Sequence, residues 1–381
     1  MNIENEKISG RQFGRMVFYD FFGLTTLVLP GYLAKQAGMD GFFCLVLGSL
    51  AGYLFLLLVL SQMKRMGQGY EPYLTQRFGR ILTVLLLLCY FFIALFGAAY
   101  GLCTLGEVIG RYLIRDTSMW LIFGVLAVLA VYGLSAGLEC RGRLYEVVFW
   151  FVALPLVFLF ALSMYNVEPE GWLPVFAAGG RQLAGGSYVV FGFLMSVAFL
   201  PMLAGDIAQG TDTTRVLKQS FAFSMCLNLV LFLLLAGIFR TPTMAVMEEP
   251  ALTLTAMVKV PGGFFERQDA LLCGIWFVSI FAFVENALYY GVYCARKICR
   301  KREQGCFLFG AGLLVYVLGL AMHCSRAFMD TLARYYLVAA VPLLVIVALL
   351  GGVLPVRPGN MPHGKEEAGM EGAGSREEGA A

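Results

Sequence analysis

The chain has 381 residues, 59% of them hydrophobic and only 14% charged, with 32 Phe and a mean hydropathy of +0.76. That mix lies far from the composition of soluble domains and defines an integral membrane protein. The net charge of +3 is small, and Lys and Arg cluster between apolar runs instead of forming one basic face, which excludes DNA or RNA as a partner.

In chain order, ten apolar runs reach the roughly 20 residues that a helix needs to cross a bilayer: 11–34, 41–62, 81–110, 119–136, 143–165, 187–206, 217–239, 270–295, 306–323 and 331–354. The first is long, contains Asp20 and lacks a small-residue cleavage pattern, so it reads as a span and not as a cleavable leader. Its middle, "DFFGLTTLVLPG", holds Gly23, Thr25, Thr26, Pro30 and Gly31; the sixth run, "GGSYVVFGFLMSVAFLPMLAG", holds Gly192, Ser196 and Pro201. Membrane backbone leaves the helical form only where it is buried in protein or lines a cavity, so paired interruptions in the two halves of a chain point to a binding site. Ordinary membrane-helix Gly and Pro are the bland alternative. Asp20, about two turns in from Arg11, sits beneath the interruption or pairs with an inner arginine.

In the third run, Tyr100, Thr104 and Glu107 recur at steps of four and three and form one stripe, while Gly97 and Gly101 in "GAAYG" form a close-packing motif. Glu107, one turn from Arg111, is either a ligand contact or a solvated partner of Arg111 or Arg115. Glu139, Arg141, Arg143 and Glu146 read as a salt-bridged elbow on the inner side, and Asn228 in the seventh run as an interhelical hydrogen-bond donor. The eighth run carries the sharpest signal, "SIFAFVENALYYGVYC" over 279–294. Glu285 lies about 16 Å along the helix from Arg296, near mid-membrane. A carboxylate there costs on the order of 3 kcal/mol and usually faces a bundle interior or a wet cavity. Asn286 shares a face with Ser279, Tyr290 and Tyr293, and Glu285 with Phe281 and Tyr289. Either Glu285 and Asn286 line a central cavity and bind a ligand amine, an ion or a proton, or Glu285 is a buried acid that holds helices together. His323, at the outer end of the ninth run, reads as interfacial.

With the N-terminus on the inside, 19 of the 28 Lys and Arg fall on inner segments and nine on outer ones. Both termini are therefore expected in the cytoplasm, with "ARKICRKR" (295–302) as the strongest anchor. The chain divides into a membrane domain, 1–355, and a Gly- and Glu-rich tail, 356–381, expected to be disordered. No GxxxxGK[ST], HExxH or nucleophile elbow occurs, so ATP hydrolysis and metalloprotease chemistry have no motif, and no enzyme activity or cofactor is expected. The ten Cys residues include no CxxC pair, which suits reduced core residues and neither disulfides nor zinc.

Several segments carry a family resemblance: "KISGRQFGRMVFYDFFGLTTLVLPGYLAKQAGMDGF" (7–42), "RYLIRDTSMW" (111–120), "AGLECRGRLYEV" (136–147), "WLPVFAAG" (172–179) and "GGFFERQDALLCGIW" (262–276). In order and spacing they resemble the endospore germination permeases, the B subunits of nutrient germinant receptors, within the amino acid, polyamine and organocation superfamily. The resemblance implies an all-helical membrane fold of ten helices in two inverted repeats, about 11–165 and 187–354. It further implies that helices 1 and 6 are broken around a central ligand site, with helix 8 beside the first break. Many members place Glu directly after the "FG" of helix 6; here Phe193 follows Gly192, which makes the pocket more apolar.

Free amides at a half-helix N-terminus would suit a carboxylate, and Thr25, Thr26 and Ser196 would supply hydroxyls beside an acid on helix 8, so a small amino acid fits. The expected ligand set is Gly23, Thr25, Thr26, Tyr100, Glu107, Gly192, Phe193, Ser196, Glu285, Asn286 and Tyr289. The fifth run has no Lys to act as a proton-linked cation. Two functions remain. One is a nutrient-sensing subunit in the spore inner membrane that signals to an A subunit and a C-type lipoprotein, as the resemblance implies. The other is a stand-alone amino-acid transporter using alternating access.

Overall fold

The computed structural model describes residues 7–66, 69–207, 212–257, 268–300 and 305–354. The tail expected to be disordered lies outside them. Helix α1 (Gly10–Ala37) starts at a capping box: the Ser9 hydroxyl accepts from the Gln12 N–H, and the Gln12 side chain accepts from the Ser9 N–H. A short 3-10 turn leads into α2 (Gly41–Met63), followed by α3 (Tyr70–Phe78) and α4 (Arg80–Val108), which closes in a π turn, Ile109–Leu113. Next come α5 (Met119–Ser135), α6 (Leu138–Ser163) and α7 (Gly180–Phe193), the last continued by a 3-10 helix, Met195–Asp206. The chain then forms α8 (Thr213–Phe239), α9 (Thr241–Met244), α10 (Pro250–Met257), α11 (Gln268–Cys299) and α12 (Gly305–Cys324). It ends in α13 (Arg326–Tyr335), a π turn (Tyr336–Ala340) and α14 (Val341–Val353).

Every predicted apolar run falls on helix. The sixth begins earlier than expected, at Gly180, because glycine-rich "GGRQLAGG" reads as loop by propensity; Gln182 offsets this by accepting from the Gly179 N–H and capping the first turn. Among the described residues, eight helical stretches are long and apolar enough to cross a membrane. The longest, Gly10–Met63, contains both α1 and α2, and α5 is a shorter apolar helix. Outward faces are apolar throughout the bundle, with Leu50 and Leu54 on α2, Ile81 and Phe92 on α4, Phe151 and Leu154 on α6, and Leu313 and Val317 on α12 all exposed. Hydrocarbon, not water, is the solvent such faces suit.

The centre of the bundle is α1 against α11, which also packs along α4 and α6. Small residues set these crossings. A side chain at Gly23 would bring its Cβ to 2.8 Å from the backbone carbonyl of Ser279, and one at Gly101 to 2.8 Å from Val284 Cγ2.

The expected break in the first helix is absent: α1 is one continuous helix from Gly10 to Ala37, with Pro30 inside it. Three local causes account for this. The hydroxyl of Thr25 donates to the carbonyls of Phe21 and Phe22, and that of Thr26 to Phe22 and Gly23, so both are satisfied locally inside a helix that continues through them, without the interruption they were expected to make. Gly23 is required by the approach of α11. Pro30 removes one backbone donor only, a loss that neighbouring helices make tolerable in a membrane. The sixth run does change form, at Leu194, from α-helix to 3-10 helix.

Candidate functional site

A cavity of about 260 Å³ lies between α1, α4, the α7 junction, α11 and α13. Asp20, Leu24, Val28 and Tyr32 line it at steps of four, the stripe that one face of an unbroken helix presents. From α4 come Phe96, Gly97 and Tyr100, and from α11 Phe283, Ala287 and Tyr290. Gly192, Phe193 and Ser196 enter where α7 gives way to the 3-10 helix; Leu194, at φ −90° and ψ 4°, is the residue that turns out of the α form. Opposite, the π turn brings Tyr336 to the lining, and its hydroxyl donates to the Gly192 carbonyl at 2.8 Å. π turns inside helices often mark functional positions. Asp330 and the 40% exposed Tyr32 stand where the cavity meets its surroundings.

At the other end the described residues tie the elements together. Ile8 forms a parallel bridge with Ile207, its N–H donating to the Asp206 carbonyl at 2.9 Å. The Tyr289 hydroxyl donates to Asp206 Oδ2 at 3.0 Å, and Arg15 pairs with Glu146 at 3.1 Å, tying α1 to α6.

Between the cavity and these ties runs a chain of buried polar groups. Asp20 Oδ1 accepts from Asn286 Nδ2 at 2.8 Å, and Oδ2 from the Tyr290 hydroxyl at 3.0 Å. Asn286 Nδ2 also donates to the Met16 carbonyl at 3.1 Å, while Asn286 Oδ1 accepts from Arg141 at 2.5 Å. Arg141 Nε lies 3.9 Å from Glu285 Oε2, which also accepts from the Tyr145 hydroxyl, and the guanidinium sits 5.4 Å over the Tyr289 ring. Asp20, Arg141, Glu285 and Asn286 are all at most 4% exposed, so each depends on the others for the partners that water would supply.

Of the residues expected to bind ligand, Tyr100, Gly192, Phe193 and Ser196 line the cavity. Asn286 stands one hydrogen bond behind it, through Asp20. Glu285 points away: a side chain at Gly133 on α5 would collide with its carboxylate, which belongs to the α5, α6 and α11 contact. Tyr289 faces Asp206, Gly23 lies at the α1 and α11 crossing, and the Thr25 and Thr26 hydroxyls are engaged by backbone. Trp276 Nε1 donates to Thr26 Oγ1 at 3.1 Å. Glu107 belongs to a second, smaller pocket with Arg111, His323 and Arg326. It pairs with Arg326 at 2.8 Å and with His323 Nδ1 at 3.0 Å, whereas Arg111 turns to Glu249 at 2.7 Å. Asp20 and Arg141 carry more of this centre than the sequence suggested. Arg141 is drawn inward because α6 starts at Leu138, five residues before the apolar run; only Arg143 pairs with Glu139 in the expected elbow.

An apolar helical bundle built around such a cavity defines an integral membrane protein. A solved Na+-coupled sialic acid symporter, in its substrate-bound outward-open state, superposes with a TM-score of 0.60 at 13% identity, over 91% of this chain and 77% of that one. At that identity the likeness speaks for the fold. Residues 7–327 match the spore permease model, described as spore germination protein, and the chain belongs to that family. It is 22% identical to spore germination protein YndE of Bacillus subtilis, over 84% of this chain and 90% of the relative. It is 23% identical to spore germination protein GerLB of Bacillus cereus, over 90% and 94%. Family and fold both point away from an enzyme.

Proposed function

We propose that this chain is the nutrient-sensing membrane subunit of a spore germination receptor and that its ligand, a small amino acid or close analogue, occupies the cavity above Asp20. The observation that carries the reading is the cavity itself, which reaches the centre of the bundle and ends on buried polar groups tied to three helices. A ligand there can shift a conformational equilibrium only by binding its states unequally, and the Asp20, Asn286 and Arg141 chain gives it something to bias. The architecture on this reading is ten membrane helices in two inverted repeats, 11–165 and 187–354, with both termini cytoplasmic in the spore inner membrane. The cavity then opens outward. Partners are an A subunit and a C-type lipoprotein.

The test is a gentle pull-down of the tagged chain from membranes of its sporulating host, with partner ratios quantified. Stoichiometric recovery of an A-type membrane subunit and a C-type lipoprotein is expected. Recovery of the chain alone sinks the receptor reading. A stand-alone transporter by alternating access is the second reading, favoured by the fold likeness to a symporter and by the ties at one end of the bundle. Uptake of labelled amino acids into proteoliposomes decides for it.

A further inference from the structure

Resting on the reading of the cavity as a ligand site, we infer that it recognises its ligand by a cationic amine held at Asp20, and that a free carboxylate is not what it reads. Asp20 and Asp330 are the charged side chains that line the cavity, and no Lys, Arg or His is among its described lining residues. An ionised carboxylate offers about four lone-pair positions. Asp20 uses one on each oxygen, for Asn286 and for Tyr290, which leaves acceptor capacity on the cavity side. Nearby, Ser196 Oγ is buried without a hydrogen-bond partner, a second polar atom waiting for a group in the cavity. The rest of the lining includes Phe96, Tyr100, Phe193 and Phe283, ring faces that attract cations and accommodate an apolar body.

What a carboxylate would need is missing. The unbroken α1 presents no free amides at its midpoint, because its backbone N–H groups continue the helical ladder through Gly23 to Leu29. The 3-10 helix of Met195–Asp206 likewise engages its interior N–H groups with carbonyls three residues back. An anion entering would face two acids and, among the described lining residues, no cation.

The experiment compares three probes of one shape on the full chain in nanodiscs by saturation-transfer NMR: 3-methylbutylamine, a cation; L-leucine, a zwitterion; and 4-methylpentanoate, an anion. The expected order is amine first, zwitterion second, anion last, with the amine at least tenfold tighter than the anion and lost by at least tenfold in Asp20→Asn. An anion that binds as well as the amine overturns the amine reading and leaves the cavity as a ligand site. An amine signal that survives Asp20→Asn comes from elsewhere and also overturns it. If none of the three binds the wild-type chain, the ligand-site reading of the cavity falls as well. The probe order is read on wild-type protein, so it stands even if Asp20→Asn folds poorly.

Discussion

Replacing Arg141 by Met strands the Glu285 carboxylate in the middle of the bundle. At 3.9 Å and an effective dielectric of about 20, the attraction between Arg141 and Glu285 is about 4 kcal/mol. Deleting one partner of a buried pair costs about 3–5 kcal/mol, because the other charge stays behind without water. Both side chains are only 2% exposed, so solvent screening removes little of this. Glu285→Gln in the Arg141→Met background neutralises the stranded charge and should recover at least about 2 kcal/mol, since a buried pair replaced at both ends is far cheaper than one broken at a single end. Unfolding free energies of wild type, both single variants and the double variant, measured by SDS titration in mixed micelles with tryptophan fluorescence, complete the cycle. If the two changes add to within about 0.5 kcal/mol, Arg141 and Glu285 do not interact.

Gly23→Ala should destabilise the protein by about 1–3 kcal/mol, read as a fall in melting temperature in detergent, because the added methyl has a backbone carbonyl 2.8 Å away and no flexible side chain to displace. Asp40, 1% exposed, accepts from the backbone N–H groups of Phe176 at 2.6 Å and Ala178 at 2.7 Å. Asp40→Ala should therefore speed hydrogen exchange at those two amides by roughly ten- to a hundredfold, the equivalent of one charge-assisted hydrogen bond each. Ser196→Ala should leave stability within about 0.5 kcal/mol of wild type, since its hydroxyl has no protein partner, and weaken ligand binding about two- to tenfold in the NMR assay.

Helix positions were legible because a membrane span needs only length and hydropathy, and both are local. The depth and direction of single polar side chains were less so. Glu285 and Asn286 are adjacent, hence about 100° apart around α11, and that angle alone sends one toward α5 and α6 and the other toward α1. No local pattern states which neighbour waits on each side. Arg141 sits in a charged stretch whose other members do pair on the surface, so its burial follows only from where α6 begins. Pro30, Gly23, Thr25 and Thr26 carry the composition of a break. Whether such residues interrupt a helix or pack it depends on the backbone across the crossing, here Ser279, more than two hundred residues away in sequence.

The continuity of α1 has a mechanical meaning. One rod reaches from the capping box beside the Ile8 and Ile207 bridge, past Asp20, to Tyr32 at the mouth of the cavity. From Asp20 to Tyr32 is about 18 Å at the helical rise, and from Asp20 back to Gly10 about 15 Å. A helix hinged at its middle would let either half swing alone and absorb a displacement at the joint. An unbroken helix has no such gap, so a tilt of about 5° about Asp20 that keeps it straight past Pro30 carries both ends roughly 1.5 Å in opposite directions. Movement at the mouth and movement at the bridge are then the same event, seen from two sides of the membrane.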